Sequence, residues 1–246
     1  MSDTSADSPA VSVVVPVRNE AGNIAPLVAE IAAALADRQF EVVYVNDGST
    51  DGTEAELKRL MAEHGWLRQI KHATSCGQSA ALRTGVAAAR AEVVVTLDGD
   101  GQNDPAFLPG LIEALERGAP RVGLIAGQRV GRKATGFKKF QSRVAHGVRG
   151  AILRDGTRDT GCGLKAFYRE VFLALPSFDG LHRFLPALVK REGRDIGYLD
   201  VVDRPRHSGV SNYGFWDRLW VGILDLCGVW WLIRRKKRVP DATEVR

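Results

Sequence analysis

Apolar positions along the chain follow two rhythms that alternate through the first half. Val11 to Val17 is a nearly unbroken β-branched run, as a strand buried on both faces requires. Ile24, Leu27, Val28, Ile31 and Leu35 then recur at helical spacing, and Phe40 to Asn46 forms a second strand-like run. A helix from about Glu54 to Glu63, a strand at Leu67 to His72 and an alanine-rich helix at Ser79 to Arg90 follow. The strand Glu92 to Leu97, the helix Phe107 to Arg117 and the strand Val122 to Ala126 complete the series. Repeated β-α units predict an α/β fold with a mostly parallel sheet and helices on both faces. No internal repeat is present.

The second half breaks this rhythm. Gly131 to Gly136 is a glycine-rich basic loop, and Phe140, Val144, Val148 and Ile152 mark an amphipathic helix. Gly163 to Tyr168 reads as a strand, Leu185 to Glu192 as a helix and Ile196 to Val202 as a strand. Arg204 to Gly214 reads as a mobile loop, and Phe215 to Ile233 as an apolar, tryptophan-rich helix. This organisation predicts a tail at 1–10, a domain at 11–214, a C-terminal helix with a basic end at 215–238 and a second tail at 239–246. Within the domain, 11–128 reads as a nucleotide-binding half and 129–214 as an acceptor-binding half.

Composition narrows the picture only a little. The chain has 246 residues, 45% hydrophobic and 26% charged, an ordinary globular balance. The first ten residues lack a basic start and an apolar run, so they do not read as a secretory signal. Cys76, Cys162 and Cys227 have no paired spacing, which argues against a disulfide framework and a zinc site. The net charge of +5 concentrates in Arg129 to Arg158 and in Arg234-Arg235-Lys236-Lys237-Arg238. Such a surface suits anionic lipid or phosphorylated substrates; nucleic acid is disfavoured, because the basic residues do not alternate with aromatics on a known module.

The chemistry lies at strand ends, where open parallel sheets bind ligands. The first strand ends in Pro16-Val17-Arg18-Asn19-Glu20 and the second in Asn46-Asp47-Gly48-Ser49-Thr50-Asp51-Gly52. Taken alone, the latter is also what a capped strand-to-helix turn wants. The strand at Glu92 to Leu97 ends in Asp98-Gly99-Asp100-Gly101-Gln102-Asn103-Asp104-Pro105. Two carboxylates bracketing a glycine can serve one hard cation, Mg²⁺ or Mn²⁺, and Gln102 can add a neutral oxygen. A departing nucleoside diphosphate develops negative charge that such a cation neutralises.

These three clusters together resemble the inverting glycosyltransferases of family 2. The likeness is nearest to dolichyl-phosphate mannosyltransferase and the bacterial polyprenyl-phosphate glycosyltransferases, over roughly residues 11 to 214. Gly127-Gln128-Arg129, Ser142-Arg143, Asp159-Thr160-Gly161-Cys162-Gly163-Leu164-Lys165 and Arg206-His207-Ser208-Gly209-Val210-Ser211-Asn212-Tyr213 match the family's order and spacing. The resemblance implies a GT-A type, Rossmann-like domain with an added C-terminal apolar amphipathic helix. It implies that Pro16, Arg18 and Glu20 hold the nucleoside and that Asp47 contacts the base. Asp98 would face the nucleotide-sugar, and Asp100 and Gln102 would be metal ligands. Arg129, Ser142 and Arg143 fall where the family binds the acceptor phosphate, a task suited to guanidinium forks. Asp159 would contact the sugar, while Arg206 and Ser211 would close over the diphosphate. Departures occur at Cys162-Gly163-Leu164-Lys165, where the family often has Ser-Gly-Phe-Arg, and at Asn212, where it often has lysine. Gly77-Gln78-Ser79 resembles the bacterial branch that uses sugars other than mannose.

The activity so implied is metal-dependent transfer, with inversion, of a sugar from a nucleotide-sugar to a polyprenyl phosphate. Alternatives are a transferase acting on a glycan or cell-wall hydroxyl, for which Asp159 is the leading base, and a non-catalytic nucleotide-binding scaffold. Leu219, Ile223, Leu226, Trp230 and Ile233 form a stripe on the last helix, widened by Trp220, Leu224, Cys227 and Trp231. The stretch falls short of the roughly 20 apolar residues that a span needs, and Asp225 interrupts it. Tryptophans followed by arginines fit peripheral attachment to an anionic leaflet, on the cytoplasmic face of the membrane. Docking to a membrane partner subunit and packing on the chain's own domain are the alternatives.

Overall fold

The chain folds around a seven-stranded sheet in the order β3-β2-β1-β4-β6-β5-β7. The strands are β1 (Val11–Val17), β2 (Phe40–Asp47), β3 (Leu67–His72), β4 (Val93–Thr96), β5 (Val122–Arg129), β6 (Lys165–Tyr168) and β7 (Asp195–Val201). The helices are α1 (Ala21–Ala34), α2 (Thr53–Glu63), α3 (Gln78–Ala88), α4 (Leu108–Arg117), α5 (Arg169–Ala174), α6 (Leu185–Arg191) and α7 (Phe215–Arg234). The structure is a computed structural model that describes residues 8–130, 147, 149–204, 215–235 and 243, with side chains in α7 described from 222 onward.

Alternation along β1 explains the layering. Val11, Val13, Val15 and Val17 point into one core with α1, α2 and α4, whereas Val14 points into a second core on the opposite face. On α4, Leu108, Leu111, Ile112 and Leu115 are fully buried, each burial worth about 1.5–3 kcal/mol. The second core joins α3, α5 and α6 and takes Val229 from α7. Gly85 on α3 lies so close to β1 and β2 that a Cβ there would collide with Val14 and sit 3.0 Å from Val45. At the far end of β1, the buried Ser12 hydroxyl donates to Glu41 (2.7 Å), which also accepts from Arg68 (2.6 Å). This pairing accounts for the buried carboxylate of Glu41 on β2.

The sheet is parallel except for β6, which runs antiparallel to both β4 and β5. Two reversals leave β5 and β7 running with β1 to β4, so six strands share one carboxyl-terminal edge. β6 begins at that edge with Lys165, opposite Thr96 on β4 and Ala126 on β5. The pattern of apolar residues finds every strand; it does not reveal this reversal, nor the short helix α5.

Candidate active site

The shared edge gathers the polar strand ends. β1 delivers Pro16 to Glu20, β2 delivers Asp47, and β4 delivers Asp98 to Asp104. β5 ends on Arg129, β7 leads to Asp203 and Arg204, and the reversed β6 adds the segment 159–165.

On the β1–β2 side, the two loops are zipped together. Asn19 adopts a left-handed φ of 58°, which asparagine tolerates. Its Oδ1 accepts from the Thr50 amide (2.8 Å), and its own amide donates to Ser49 (3.0 Å). The Glu20 amide donates to Thr53 Oγ1 (3.0 Å), and the Glu20 carboxylate accepts from Asn23 (2.6 Å). Pro16 is partly buried and Arg18 is exposed, so Arg18 faces solvent at the mouth of this loop pair.

Asp47 does more than the resemblance implies. Its Oδ1 meets His72 Nδ1 (2.7 Å) and the Cys76 amide (2.8 Å), and its Oδ2 accepts from Ser75 (2.7 Å) and the Gly77 amide (2.9 Å). Burial pushes this carboxyl up, but the Cys76 amide, His72, Ser75 and the Gly77 amide outweigh it and hold it below the usual range. Four contacts use the carboxylate's acceptor positions. Asp47 therefore shapes the loop 72–77, and the other nitrogen of His72 contacts Thr84 on α3 (2.9 Å).

The turn after β4 carries the acidic pair. Gly99 leaves no room for a side chain, since a Cβ would strike Val17. Asn103 Oδ1 accepts from the Asp98 amide (2.9 Å), and Asp100 Oδ1 accepts from the Gln102 amide (3.1 Å), which closes the turn. Asp98 Oδ1 accepts from Gln78 at the start of α3 (2.8 Å). Burial raises the Asp98 carboxyl to about 6; Lys165 opposes this and the neighbouring Asp100 adds to it. The carboxylates of Asp98 and Asp100 and the amide oxygen of Gln102, all carried on this one turn, are hard oxygen donors of the kind that Mg²⁺ and Mn²⁺ take. Arg204 pins the chain after β7 to the same turn. Its amide donates to Gln102 O (2.9 Å), and its guanidinium pairs with Asp104 (2.6 Å) and Glu30 (2.7 Å).

Arg129 occupies the other side. It forms a two-pronged pair with Asp159, through Nε to Oδ2 and through Nη2 to Oδ1 (2.8 Å), and its Nη1 reaches Asp203 (3.1 Å). Burial lowers the Arg129 pKa, but Asp159 and then Asp203 outweigh it and drive it up. Asp159 is likewise held below the carboxylate range: burial raises it, while Arg129 and the Gly161 amide prevail. Asp203 Oδ1 is buried without a hydrogen-bond partner among the described residues. Asp203 and Arg204 carry no motif in the sequence, although their place past the end of β7 is where open sheets bind ligands.

Between these clusters lies a cavity of about 240 Å³, with Gln78, Asp98, Thr160, Lys165, His182 and Arg183 among its lining. Thr96 Oγ1 donates to Gly163 O (2.7 Å), which draws the segment 161–165 against β4. A Cβ at Gly163 would lie 2.5 Å from the side chains of Asp98 and Asn103 and would push them out of place. Cys162 is buried in the core, and burial pushes its thiol up to about 11, which suits packing rather than nucleophilic chemistry. His182 bonds Ser79 through Nδ1 (2.8 Å), and burial drives its pKa down to about 3. Ser142, Arg143, Arg206 and Ser211 lie outside the described residues.

The family model for glycosyl transferase family 2 matches residues 12–175, two thirds of the chain. The chain belongs to glycosyltransferase family 2. It is an enzyme of that family. It is 35% identical over 234 residues to a dodecaprenyl-phosphate galacturonate synthase of Rhizobium johnstonii, covering 93% of this chain and 68% of that protein. It is 32% identical over 208 residues to an undecaprenyl-phosphate 4-deoxy-4-formamido-L-arabinose transferase of Edwardsiella ictaluri, covering 83% of this chain. The chain spans 63% of that second relative's length. Among solved structures it resembles glucosyl-3-phosphoglycerate synthase of Mycobacterium tuberculosis in complex with Mn²⁺, UDP and phosphoglyceric acid. The TM-score is 0.67 at 22% identity, covering 95% of this chain and 80% of that one. The same synthase in complex with Mg²⁺ and UDP also gives 0.67, at 23% identity, covering 89% and 80% of the two chains. The shared fold is the GT-A type, and these neighbours carry a divalent cation.

The last helix corrects the single stripe drawn from sequence. Val229, Leu226, Leu232 and Ile233 pack on the second core, and Arg191 Nε donates to Leu232 O (2.9 Å). Ile223, Leu224, Trp230 and Trp231 point outward. The reading of the helix as packed on its own domain thus holds for one face, and the membrane reading is left with the other. Arg234 stacks over Trp230 at 4.1 Å from the ring centre. No described helix is long and apolar enough to cross a membrane.

Proposed function

We propose that this family 2 enzyme transfers a sugar, with inversion, from a nucleotide-sugar to the phosphate of a polyprenyl phosphate. The observation that carries this reading is the state of Asp159. Both of its oxygens are engaged by Arg129, and it is held ionised. A carboxylate so occupied is a poor proton acceptor, which disfavours a hydroxyl acceptor that must lose a proton to Asp159. A phosphate oxygen is already ionised and needs no base. The names of both relatives specify a polyprenyl phosphate, which supports the same acceptor.

In this reading Pro16, Arg18, Glu20 and the loop shaped by Asp47 hold the nucleoside. Asp100 and Gln102, beside Asp98, would hold Mg²⁺ or Mn²⁺, which supplies charge for the departing diphosphate. Gln78 and Asn103 keep Asp98 in place on the sugar side. Arg129 uses three of its five N–H groups on Asp159 and Asp203 among the described residues, which leaves donors for the acceptor phosphate. Ser142 and Arg143 join it there, and Arg206 and Ser211 close over the diphosphate. Arg204 ties the end of the described chain after β7 to the acidic turn at Gln102. Rate comes from alignment of two phosphates and from charge fixed before reaction.

The outward face of α7, with Trp230, Trp231 and Arg234, attaches the enzyme to the anionic cytoplasmic face of the membrane. Trp230→Ala with Trp231→Ala is expected to reduce flotation of the full chain with anionic vesicles. Undiminished flotation leaves a partner subunit as the occupant of this face. For the acceptor, undecaprenyl phosphate is compared with undecaprenol under the same donor and cation. Transfer to the phosphate alone is expected, and equal transfer to the alcohol would overturn the reading.

A further inference from the structure

Lys165 presents an unusual arrangement for a buried ammonium. It is 6% exposed and belongs to the lining of the cavity beside Asp98. Its Nζ donates to Cys162 O, and no carboxylate lies within 4.0 Å of it among the described residues. An ammonium has three donors, and burying them unpaired is costly. Antiparallel β6 places this group at the catalytic edge, opposite Thr96, whose strand leads into Asp98. Arg183, exposed at the rim of the same cavity, has no ion pair among the described residues. His182, the other titratable nitrogen in the lining, is held neutral by its burial.

The cavity therefore opens from the acidic turn toward two cations. A diphosphate held at Asp100 and Gln102 puts its sugar next to Asp98, within this cavity. We infer that Lys165 and Arg183 recognise a carboxylate on the donor sugar, so that the donor is a nucleotide-linked uronic acid. The inference rests on the nucleotide-sugar reading of the edge and specifies its substrate class. Lys165 supplies the buried, charge-assisted bond and Arg183 the second contact from the rim. A neutral sugar would leave the Lys165 donors facing a hydroxymethyl group, a weaker exchange for a buried charge.

The test is a calorimetric titration of the full chain with Mn²⁺, comparing UDP-galacturonate with UDP-galactose and UDP-glucuronate with UDP-glucose. Each acid is expected to bind about tenfold or more tightly than its neutral partner, the size of one charge-assisted hydrogen bond. Lys165→Gln is expected to bring that ratio close to one while UDP itself binds as before, and Arg183→Gln to reduce it in part. Unchanged UDP binding also reports that the variants are folded. Equal or weaker binding of the acids by the unaltered chain, or binding of neither partner in both pairs, overturns the inference. Equal loss of all four donors in Lys165→Gln would assign that lysine to structure alone and overturn it as well. The lipid acceptor is judged separately: transfer of a neutral sugar to polyprenyl phosphate without preference sinks the uronate and leaves the acceptor standing.

Discussion

The two sides of the catalytic edge are built by different forces. On the nucleotide side, order comes from short polar side chains and backbone amides: Asn19 with Ser49 and Thr50, and Asp47 with four partners in the loop 72–77. On the proposed acceptor side it comes from ion pairs: Arg129 with Asp159 and Asp203, and Arg149 with Asp155. Amides hold a fixed shape for one rigid ligand. Charges that pair with one another can exchange partners when a phosphate arrives. The difference suggests that the donor side is ready-made and the acceptor side is completed by its substrate.

The largest effect is expected at the junction of the two sides. Asp100→Ala should reduce transfer on the order of 10³-fold, with unfolding temperature retained and Mn²⁺ binding lost by electron paramagnetic resonance. Retained activity in excess chelator would break the metal account. Next, Asp155→Ala removes a fully buried carboxylate that pairs with Arg149 at 2.7 Å and anchors the acceptor-side segment. The stranded guanidinium should cost about 3–5 kcal/mol in chemical denaturation. A cost comparable to an exposed pair would remove the contrast in how the sides are held.

Asp47→Asn trades an acceptor oxygen for a donor inside a cage of donors. Donor KM is expected to rise about tenfold with little change in kcat, because the loop 72–77 loosens while the acceptor side is untouched. A fall in kcat at constant KM would place Asp47 in chemistry instead. The smallest effect concerns acid. His182 stays neutral down to about 3 when folded, whereas an unfolded histidine protonates near about 6.5. The unfolded state therefore binds the extra proton in this window, so stability is full above about pH 6.5 and declines as pH falls toward 3. His182→Gln should flatten that decline in thermal melts; an unchanged slope would assign it to other groups.

Much of the fold was legible because the central strands β1 and β4 are nearly pure β-branched runs buried on both faces. Leu67–His72 was found at its observed bounds, and Leu185–Arg191 within one residue. Strand direction was not legible: β6 has four residues, and periodicity carries no sign. The cavity was missed for the same reason. Lys165 reads in sequence as a departure from a family arginine, and only the reversal of β6 brings it beside Asp98. The place of Asp98, Asp100 and Gln102 on a turn after β4 was legible, because a strand end, a tight glycine turn and paired carboxylates coincide there. The partners of Arg129 were not, since Asp159 and Asp203 lie 30 and 74 residues away in the chain.

The central claim is that the sugar leaves a nucleotide for a lipid phosphate. A labelled donor panel, incubated with the full chain, Mg²⁺ or Mn²⁺ and polyprenyl phosphate, is extracted into organic solvent and counted. Label should enter the organic phase with at least one donor, and only when both cation and lipid phosphate are present. Label that remains in water with every donor would contradict the account.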